Sequence, residues 1–382
     1  MSEQYNVNTN EKNTSLLERF GLYYLGLFKK YNPQKKVFNL SDNELAKKVK
    51  AITYKGMLYS AIIGILCVFP TVWVDVKFTD EPFLKHYGWV AIVTIISIII
   101  EIYILFLISL KAVYEVSKLI NLHAKEESFE KDGVFSVKHI LARTALELPD
   151  PELKILGVDP FKQISKKNLL VLSLLYKAKI FVSNVVLKYL LLFVFGKYIF
   201  GISVLYEALL VECFWNCVVI LRVVKEARLR LFGFAIANQI GNNVICSNIL
   251  AKLSPLAEVG CLRAIGNAVV MAQNYHPNMI ILLLRFQEIL KINAEDKLDD
   301  WNIFLDTLKT CTEEERNFLL DLFTVSAAFD GKLSKLELEH MQSAYGDDYD
   351  LYFGRLQQLT NDMKEGRLNA AIANSRLDFV KG

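Results

Sequence analysis

Long apolar runs divide the chain into an apolar middle and two ends that are more polar. Four of these runs predict membrane-spanning helices, at about residues 53–74, 90–110, 180–195 and 198–221. The second run is the strongest, because its 21 residues include nine Ile and six other Val, Leu or Phe residues. Their summed insertion free energy, about −6 kcal/mol, outweighs the cost of about +3 kcal/mol for Glu101 at the centre of the run.

The third and fourth runs are shorter or more polar than the second. Only Gly196 and Lys197 separate them, and two-residue turns join antiparallel helices, so this part predicts a helical hairpin. A re-entrant or interfacial pair of helices is the alternative interpretation. Both runs carry charged residues: Lys188 in the third, and Glu207 and Glu212 in the fourth.

Polar residues inside the predicted membrane segments are the candidate functional residues of this half of the chain: Glu101, Lys188, Glu207, Glu212 and Asn216. Such residues usually face the interior of a helix bundle or a water-filled cavity. A hairpin folded at Gly196 brings Lys188 to within one helical turn of Glu207, which predicts an ion pair. Two interpretations stay open, an ion or solute pathway and a structural polar contact that fixes helix register.

The flanking charges predict the topology. Three lysines precede the first run and four basic residues follow the fourth, whereas the loop 76–88 holds two. The positive-inside rule therefore predicts a multi-pass protein of the cytoplasmic (inner) membrane, with both termini and the loop 111–168 in the cytosol. Residues 1–230 carry a net charge of +9 and residues 231–382 carry −6. This asymmetry fits either a basic membrane part that faces anionic lipid or ordinary solvated charge.

Residues 1–50 predict a cytosolic segment that holds one amphipathic helix and a linker. The helix, at residues 16–30, has an apolar stripe at helical spacing: Leu16, Phe20, Tyr23, Tyr24, Leu27 and Phe28. It is expected to dock either at the membrane surface or on the cytosolic loop of the protein itself. A capping box formed by Ser41 and Glu44 predicts that the next helix begins near Asp42, ahead of the first apolar run.

From about residue 240 to residue 382 the pattern is typical of a soluble all-α domain, without the alternation that indicates strands. Its helices are predicted at residues 255–272, 277–292, 299–309, 313–329 and 335–344, after Gly346, and near Leu368. Two junctions between helices, 270–278 and 324–332, resemble each other as a weak internal repeat. The fold class expected for the whole chain is therefore all-α, a membrane bundle (residues 51–230) followed by a cytosolic helical bundle.

The second of these junctions contains a short motif. Residues 327–337 read Ala-Ala-Phe-Asp-Gly-Lys-Leu-Ser-Lys-Leu-Glu. An EF-hand is excluded, because Ser326 and Ala328 stand where two carboxylates are needed and calcium takes six to eight oxygens. The motif resembles the turn A-x-x-D-G-x-hydrophobic-S-x-x-E of the TerB-like family of tellurite-resistance domains. The matching residues, within a region of about 240–345, are Ala327, Asp330, Gly331, Leu333, Ser334 and Glu337.

The resemblance implies an all-helical domain with a cation-binding acidic surface, associated with membrane-linked stress complexes. Asp330 and Glu337 are then the candidate ligands of a divalent cation. At the first junction, however, His276-Pro277-Asn278 replaces the acidic turn of the family, so half of the expected acidic site is missing. The alternative is purely structural, with Gly331 supplying a turn and Ser334 with Glu337 capping a helix.

Beyond this motif, the sequence shows little sign of metal-binding or catalytic residues. The six cysteines form no CxxC pair, and His123 and His139 have no ligand-forming partner at metal spacing, so no other cofactor is expected. No sequence motif of an enzyme or of nucleic-acid binding is present. We expect a membrane-anchored interaction or sensing protein whose partners are the lipid bilayer and a second protein or a second copy of the chain. The alternative is a small oligomeric ion or solute channel or transporter.

Overall fold

The computed structural model describes residues 14–33, 40–121, 136–148, 158, 204–246, 249–273, 276–292 and 298–377. Within those residues all regular elements are helical, which confirms the predicted fold class at this level. The first helices are α1 (Leu16–Tyr31), α2 (Asp42–Lys77), α3 (Phe83–Leu119), α4 (Val137–Ala145) and α5 (Val204–Cys246). The remaining helices are α6 (Pro255–Ala272), α7 (Pro277–Leu290), α8 (Trp301–Thr310), α9 (Glu313–Ala328), α10 (Lys335–Tyr345), α11 (Tyr349–Glu365) and α12 (Leu368–Asn374).

Three of the described helices, α2, α3 and α6, are long and apolar enough to cross a membrane. Protein buries only 6% of the apolar window of α3 but 67% of that of α6, so α6 packs mainly inside the protein. The first two predicted spans lie in α2 and α3. The third, at 180–195, lies outside the described residues. The fourth overlaps the start of α5, which is not among these three helices.

Exposed apolar side chains form a continuous band on α2 and α3, which we call the apolar belt. It extends from Tyr54 to Val76 on α2 and from Phe83 to Tyr103 on α3. At 1.5 Å per residue these stretches are about 33 Å and about 30 Å long, close to the hydrocarbon thickness of a bilayer. Aromatic residues mark both ends of the belt, as in membrane proteins: Tyr54, Tyr59 and Tyr103 at one end, and Trp73, Tyr87 and Trp89 at the other.

Helix α1 runs along α3 beyond the belt and does not lie across it. The hydroxyl groups of Tyr24 and Tyr103 are 2.6 Å apart, and the Tyr114 hydroxyl donates to the Asn32 carbonyl at 2.9 Å. Both helices advance in the same direction between these contacts. The other face of α1 lies on α4, where a Cβ added at Gly21 would stand 2.9 Å from the Cβ of Ala142. Helix α1 therefore packs on the protein's own segment 136–148, which agrees with one of its two predicted docking positions.

Helix α5 is continuous over 43 residues and links two parts of the molecule. Its first half packs against α2 and α3 within the belt. Its second half enters the C-terminal bundle, formed with α6–α12, where Phe232 and Ile236 are fully buried. The predicted domain boundary, between residues 230 and 240, lies inside this helix.

The chain end returns to the start of α2. Both carboxylate oxygens of Asp42 accept backbone N–H groups at the start of α12, from Asn369 at 2.8 Å and from Ala370 at 3.1 Å. The guanidinium of Arg228 on α5 donates to the carbonyl of Lys364 at the end of α11. The C-terminal bundle is thus held to both α2 and α5. We call the first of these contacts the Asp42 clasp.

Candidate functional site between the long helices

Three helices meet at a buried polar cluster in the half of the apolar belt nearer to α1. The side-chain amide of Asn216 on α5 donates to Glu101 Oε1 on α3 at 2.6 Å. The same amide nitrogen lies 3.3 Å from the Ser60 carbonyl on α2. Glu101, Asn216 and Ser60 are all at most 3% exposed. One amide group therefore bonds to both other helices inside the bundle.

The cluster forms because α2 carries small residues where α5 crosses it. Gly56, Ser60 and Gly64 repeat every four residues, so they share one face of the helix, and all three are buried. A Cβ at Gly64 would stand 2.7 Å from Asn216 Nδ2, and a Cβ at Gly56 would stand 2.9 Å from a methyl group of Ile220. The backbones can approach only because these side chains are absent.

Cluster members beyond Asn216 come from the same crossing. Glu212 lies one turn before Asn216 on α5 and is 7% exposed, so two carboxylates, Glu101 and Glu212, are buried in this region. The Cys217 thiol lies 3.5 Å from the Met57 carbonyl on α2. Of the residues predicted as intramembrane polar sites, the structure thus brings together Glu101, Glu212 and Asn216.

Two predicted residues cannot be placed in this cluster. Lys188 lies outside the described residues, as does the side chain of Glu207, although the backbone of Glu207 is helical. The predicted Lys188–Glu207 ion pair therefore stays a prediction. Sequence reasoning missed Ser60 and the two glycines, although the spacing Gly56-x3-Ser60-x3-Gly64 is a recognised signal for close helix packing.

The cluster lies inside the apolar belt, in the half nearer to α1. Glu101 is about 3 Å from Tyr103, where the exposed stretch of α3 ends, and Ser60 is about 9 Å from Tyr54, where that of α2 ends. Residues 104–108 of α3 are partly exposed, and further along this helix Leu110 and Val113 are fully buried.

A second cluster, beyond the belt, joins α1 to α4. Glu18 Oε1 accepts from His139 Nδ1 at 2.7 Å and from the guanidinium of Arg143 at 2.8 Å. Burial alone would raise the pKa of Glu18, but the His139 hydrogen bond and the Arg143 charge outweigh burial and hold it below its usual value. His139, which has no ligand-forming partner at metal spacing in the sequence, thus pairs with a carboxylate from another helix.

The predicted cation site lies at the turn between α9 and α10. Asp330 Oδ1 accepts from the backbone N–H of Lys332 at 2.8 Å, and Gly331 has a φ of +68°. Glu337 Oε2 accepts from the backbone N–H of Ser334 at 2.5 Å, while the Ser334 hydroxyl accepts from the Glu337 N–H at 3.0 Å. One oxygen of each carboxylate is therefore committed to the turn or to the helix cap.

Glu337 has an unusual environment for a carboxylate. The residue is fully buried, and its Oε1 atom has no hydrogen-bond partner within the described residues. The pKa of Glu337 is raised to about 8, chiefly by burial and also by the nearby charge of Asp330, which together outweigh the hydrogen bonds with Ser334. In the described part of the chain, no group of three or more His, Cys, Asp or Glu residues could hold a metal ion. The cation site that the family resemblance implies at Asp330 and Glu337 stays a prediction.

The first junction of the internal repeat, at His276, packs on α5. The Asn278 side-chain amide donates to the carbonyls of Leu229 on α5 at 3.2 Å and of Phe329 at 3.3 Å. His276 is buried, and burial together with the charge of Arg230 lowers its pKa to about 3. The imidazole is therefore neutral near pH 7. Both junctions of the internal repeat thus contact α5.

The chain was also compared with known proteins. No protein family, characterised relative or solved structure shows a significant match to it.

Proposed function

We propose that the chain is a membrane-anchored interaction or sensing protein whose C-terminal bundle recruits a partner protein. The observation that carries this proposal is the continuity of α5, which passes through the polar cluster at Asn216 and ends in the core of the C-terminal bundle. A soluble bundle built around the extension of a membrane-part helix follows that helix when it moves. Such an arrangement suits a protein that reports the state of a membrane to a soluble partner.

The connection is reinforced at two further points. The Asp42 clasp ties α12 to the start of α2, and Arg228 ties α11 to α5. Both junctions of the internal repeat also rest on α5 through Asn278 and Gly331, since a Cβ at Gly331 would stand 3.0 Å from Leu229. A change in α2 or α5 therefore reaches several helices of the bundle.

We further propose the kind of signal to which the protein responds. The TerB-like turn at residues 327–337 supports a role in envelope or ion stress, in a multi-pass protein of the inner membrane with its bundle in the cytosol. The net charge of −6 over residues 231–382 favours a partner with a basic surface. Exposed leucines on the bundle, Leu338 on α10 and Leu351 on α11, offer apolar contact points beside the acidic residues.

Site-specific photocrosslinking in native membranes tests this proposal. A photoreactive residue at Leu338 or Leu351 is expected to give a discrete protein adduct, either with a partner or with a second copy of the chain. The matched control is the same residue at Ile95 or Ile99 in the apolar belt, where lipid adducts are expected. The proposal of recruitment would be contradicted if neither bundle position gave a protein adduct in membranes that contain the intact protein.

A second candidate is a small oligomeric ion or solute channel. The burial of two carboxylates, Glu101 and Glu212, at a crossing of helices favours it, because such groups often line ion pathways. The purified protein in liposomes should then show a flux that Glu101→Gln alters. Equal flux through both proteins and through empty liposomes would leave the cluster with a structural role alone.

A further inference from the structure

A basic face lies on α2 immediately before the apolar belt. Lys47, Lys50 and Lys55 are exposed and lie on the side of the helix that also carries Tyr54 and Leu58. The opposite side is buried against the neighbouring helices, with residues such as Val49 and Gly56. The basic face of α2 therefore points away from the protein and runs without a break into the belt.

The acidic residues next to this face are engaged elsewhere. Asp42 accepts the backbone N–H groups at the start of α12, and Glu44 accepts from the Ser41 N–H at 2.9 Å in the capping box. Within the described residues, neither Lys47 nor Lys50 forms an ion pair, and the Lys55 ammonium lies 5.9 Å from the ring centroid of Tyr59. The positive charge of the face is therefore available to an outside anion.

The lysines lie within or just outside the headgroup region of a bilayer. Lys50 precedes Tyr54 by four residues and Lys47 precedes it by seven, which places them about 6 Å and about 10 Å beyond the belt. The headgroup layer extends about 5–8 Å beyond the hydrocarbon on each side. The long side chain of Lys55 can extend its ammonium upward to the same level.

The opposite end of the belt has a different charge pattern. Residues 75–88 contain three acidic and two Lys residues, whereas residues 42–55 contain two acidic and four Lys residues. Lys85 pairs with Glu81 at 2.8 Å, and the Lys77 ammonium stacks over the Trp73 ring at 4.6 Å. Positive charge that no described acidic group neutralises is therefore concentrated on the α2 start.

We propose that the basic face of α2 binds the phosphate groups of anionic phospholipids in the leaflet on the α1 side. This inference rests on the proposed membrane anchorage and adds the class of lipid to it. Lipid is favoured over an acidic protein because the same face continues into the apolar belt, and only a lipid offers a phosphate and an acyl chain in that order. Lysine binds such phosphates as a point charge, without strict geometry.

The test uses the full-length protein in detergent micelles with added phosphatidylglycerol or phosphatidylcholine, read by native mass spectrometry. The wild type is expected to retain phosphatidylglycerol in preference. Each lysine near an anionic surface strengthens binding about fivefold, so Lys47→Gln, Lys50→Gln and Lys55→Gln combined should weaken phosphatidylglycerol retention by about a hundredfold. The triple Lys→Arg variant at the same positions should keep the preference.

The matched control replaces three exposed lysines of the C-terminal bundle with Gln, at Lys309, Lys335 and Lys364, and should retain phosphatidylglycerol like the wild type. An unchanged preference in the Gln variant of the basic face, or a wild type without preference, overturns the lipid site. Carbonate extraction of membranes comes first. Release of the wild type there refutes membrane anchorage itself, whereas a retained protein without lipid preference refutes only this inference.

Discussion

Asn216 joins three helices through one amide group. It donates to Glu101 on α3 and lies within hydrogen-bonding distance of the Ser60 carbonyl on α2. A hydrogen bond between helices in a membrane contributes about 0.6 kcal/mol on average and about 1.7 kcal/mol at most. A charged acceptor raises the cost of losing the donor. Asn216 is thus the residue whose replacement should affect this crossing most.

Replacing Asn216 with Ala should lower the free energy of unfolding by about 1–3 kcal/mol, because Glu101 loses its amide donor inside the bundle. Adding Glu101→Leu should restore part of that loss, since an apolar pair needs no donor. A double-mutant cycle, measured by unfolding in mixed micelles of mild detergent and dodecyl sulfate, gives the coupling energy. Additive losses would show that the two side chains do not interact.

Glu337 gives a pH-dependent prediction. Its folded pKa of about 8 lies above the unfolded value of about 4.3, so its contribution to stability is complete below pH 4 and is lost as the pH rises to 8. Glu337→Gln keeps a hydrogen-bond acceptor for the cap but cannot ionise. The variant should exceed the wild type by about 2–4 kcal/mol at pH 8 and match it at pH 4.

Thermal unfolding of both proteins across that pH range measures the difference. The control is Glu339→Gln, at an exposed position on the same helix. A constant gap between the Glu337→Gln variant and the wild type would mean that Glu337 is ionised throughout. Stabilisation of the wild type by added Ca²⁺ or Mg²⁺, abolished by Glu337→Gln, would support the cation site implied by the family resemblance.

Glycine has opposite roles in the two long helices α2 and α3. Gly64 lies under Asn216, and an added Cβ would meet the amide at 2.7 Å and the Glu212 backbone at 3.4 Å. Gly88, near the start of α3, has nothing within 4 Å of its Cβ position. The same substitution should therefore change stability in opposite directions at the two sites.

Gly64→Ala should destabilise the protein by about 1–3 kcal/mol, because Asn216 must move and its bond to Glu101 is disturbed. Gly88→Ala should stabilise it by up to about 1 kcal/mol, through helix propensity alone. Unfolding in the same mixed micelles compares the two variants. If both substitutions stabilise the protein, the close approach of α2 and α5 is wrong.

The elements were largely predictable from local signals. Proline at the first position of α6 and α7, and the capping boxes at Ser41, Thr312 and Ser334, mark helix starts, and each of these helices begins where the sequence predicts. The continuation of α5 through residues 230–240 was missed. The change from apolar to amphipathic pattern suggested a boundary there, but no proline or cap interrupts the helix.

The candidate site was predictable only in part. Glu101 and Asn216 stand out as polar residues in apolar runs, but 115 residues separate them, and helical periodicity does not specify which faces meet. Ser60 contributes a backbone carbonyl, which no side-chain pattern reveals. The spacing of Gly56, Ser60 and Gly64 was missed, and it would have indicated a close-packing face without its partner.

In the whole molecule, the Asp42 clasp joins α12, late in the chain, to the start of α2. A carboxylate that accepts two N–H groups at a helix start stabilises that helix by about 1 kcal/mol. Its loss should act on α12 and not on the apolar belt, since the clasp lies ahead of the belt and one further hydrogen bond, from the Asn369 side-chain amide to the Leu40 carbonyl at 3.0 Å, joins the same segments. The clasp is therefore a separable feature.

Asp42→Ala should speed amide hydrogen exchange in residues 368–374 by about fivefold, with exchange in α3 unchanged. Mass spectrometry of peptic fragments measures both. Asp350→Ala, at an exposed acidic position in the first turn of α11, is the matched control and should leave α12 protected. Equal protection of α12 in the Asp42→Ala variant would show that the clasp does not hold it.

The length of α5 has a mechanical consequence. Forty-three residues make a rod about 64 Å long. If its first half is embedded, a tilt of about 5° about that end displaces the far end by roughly 6 Å, and membrane helices tilt in response to bilayer thickness. Thinning or thickening of the lipid by a few ångströms would then swing the acidic domain sideways by more than a side-chain width, without any helix having to melt.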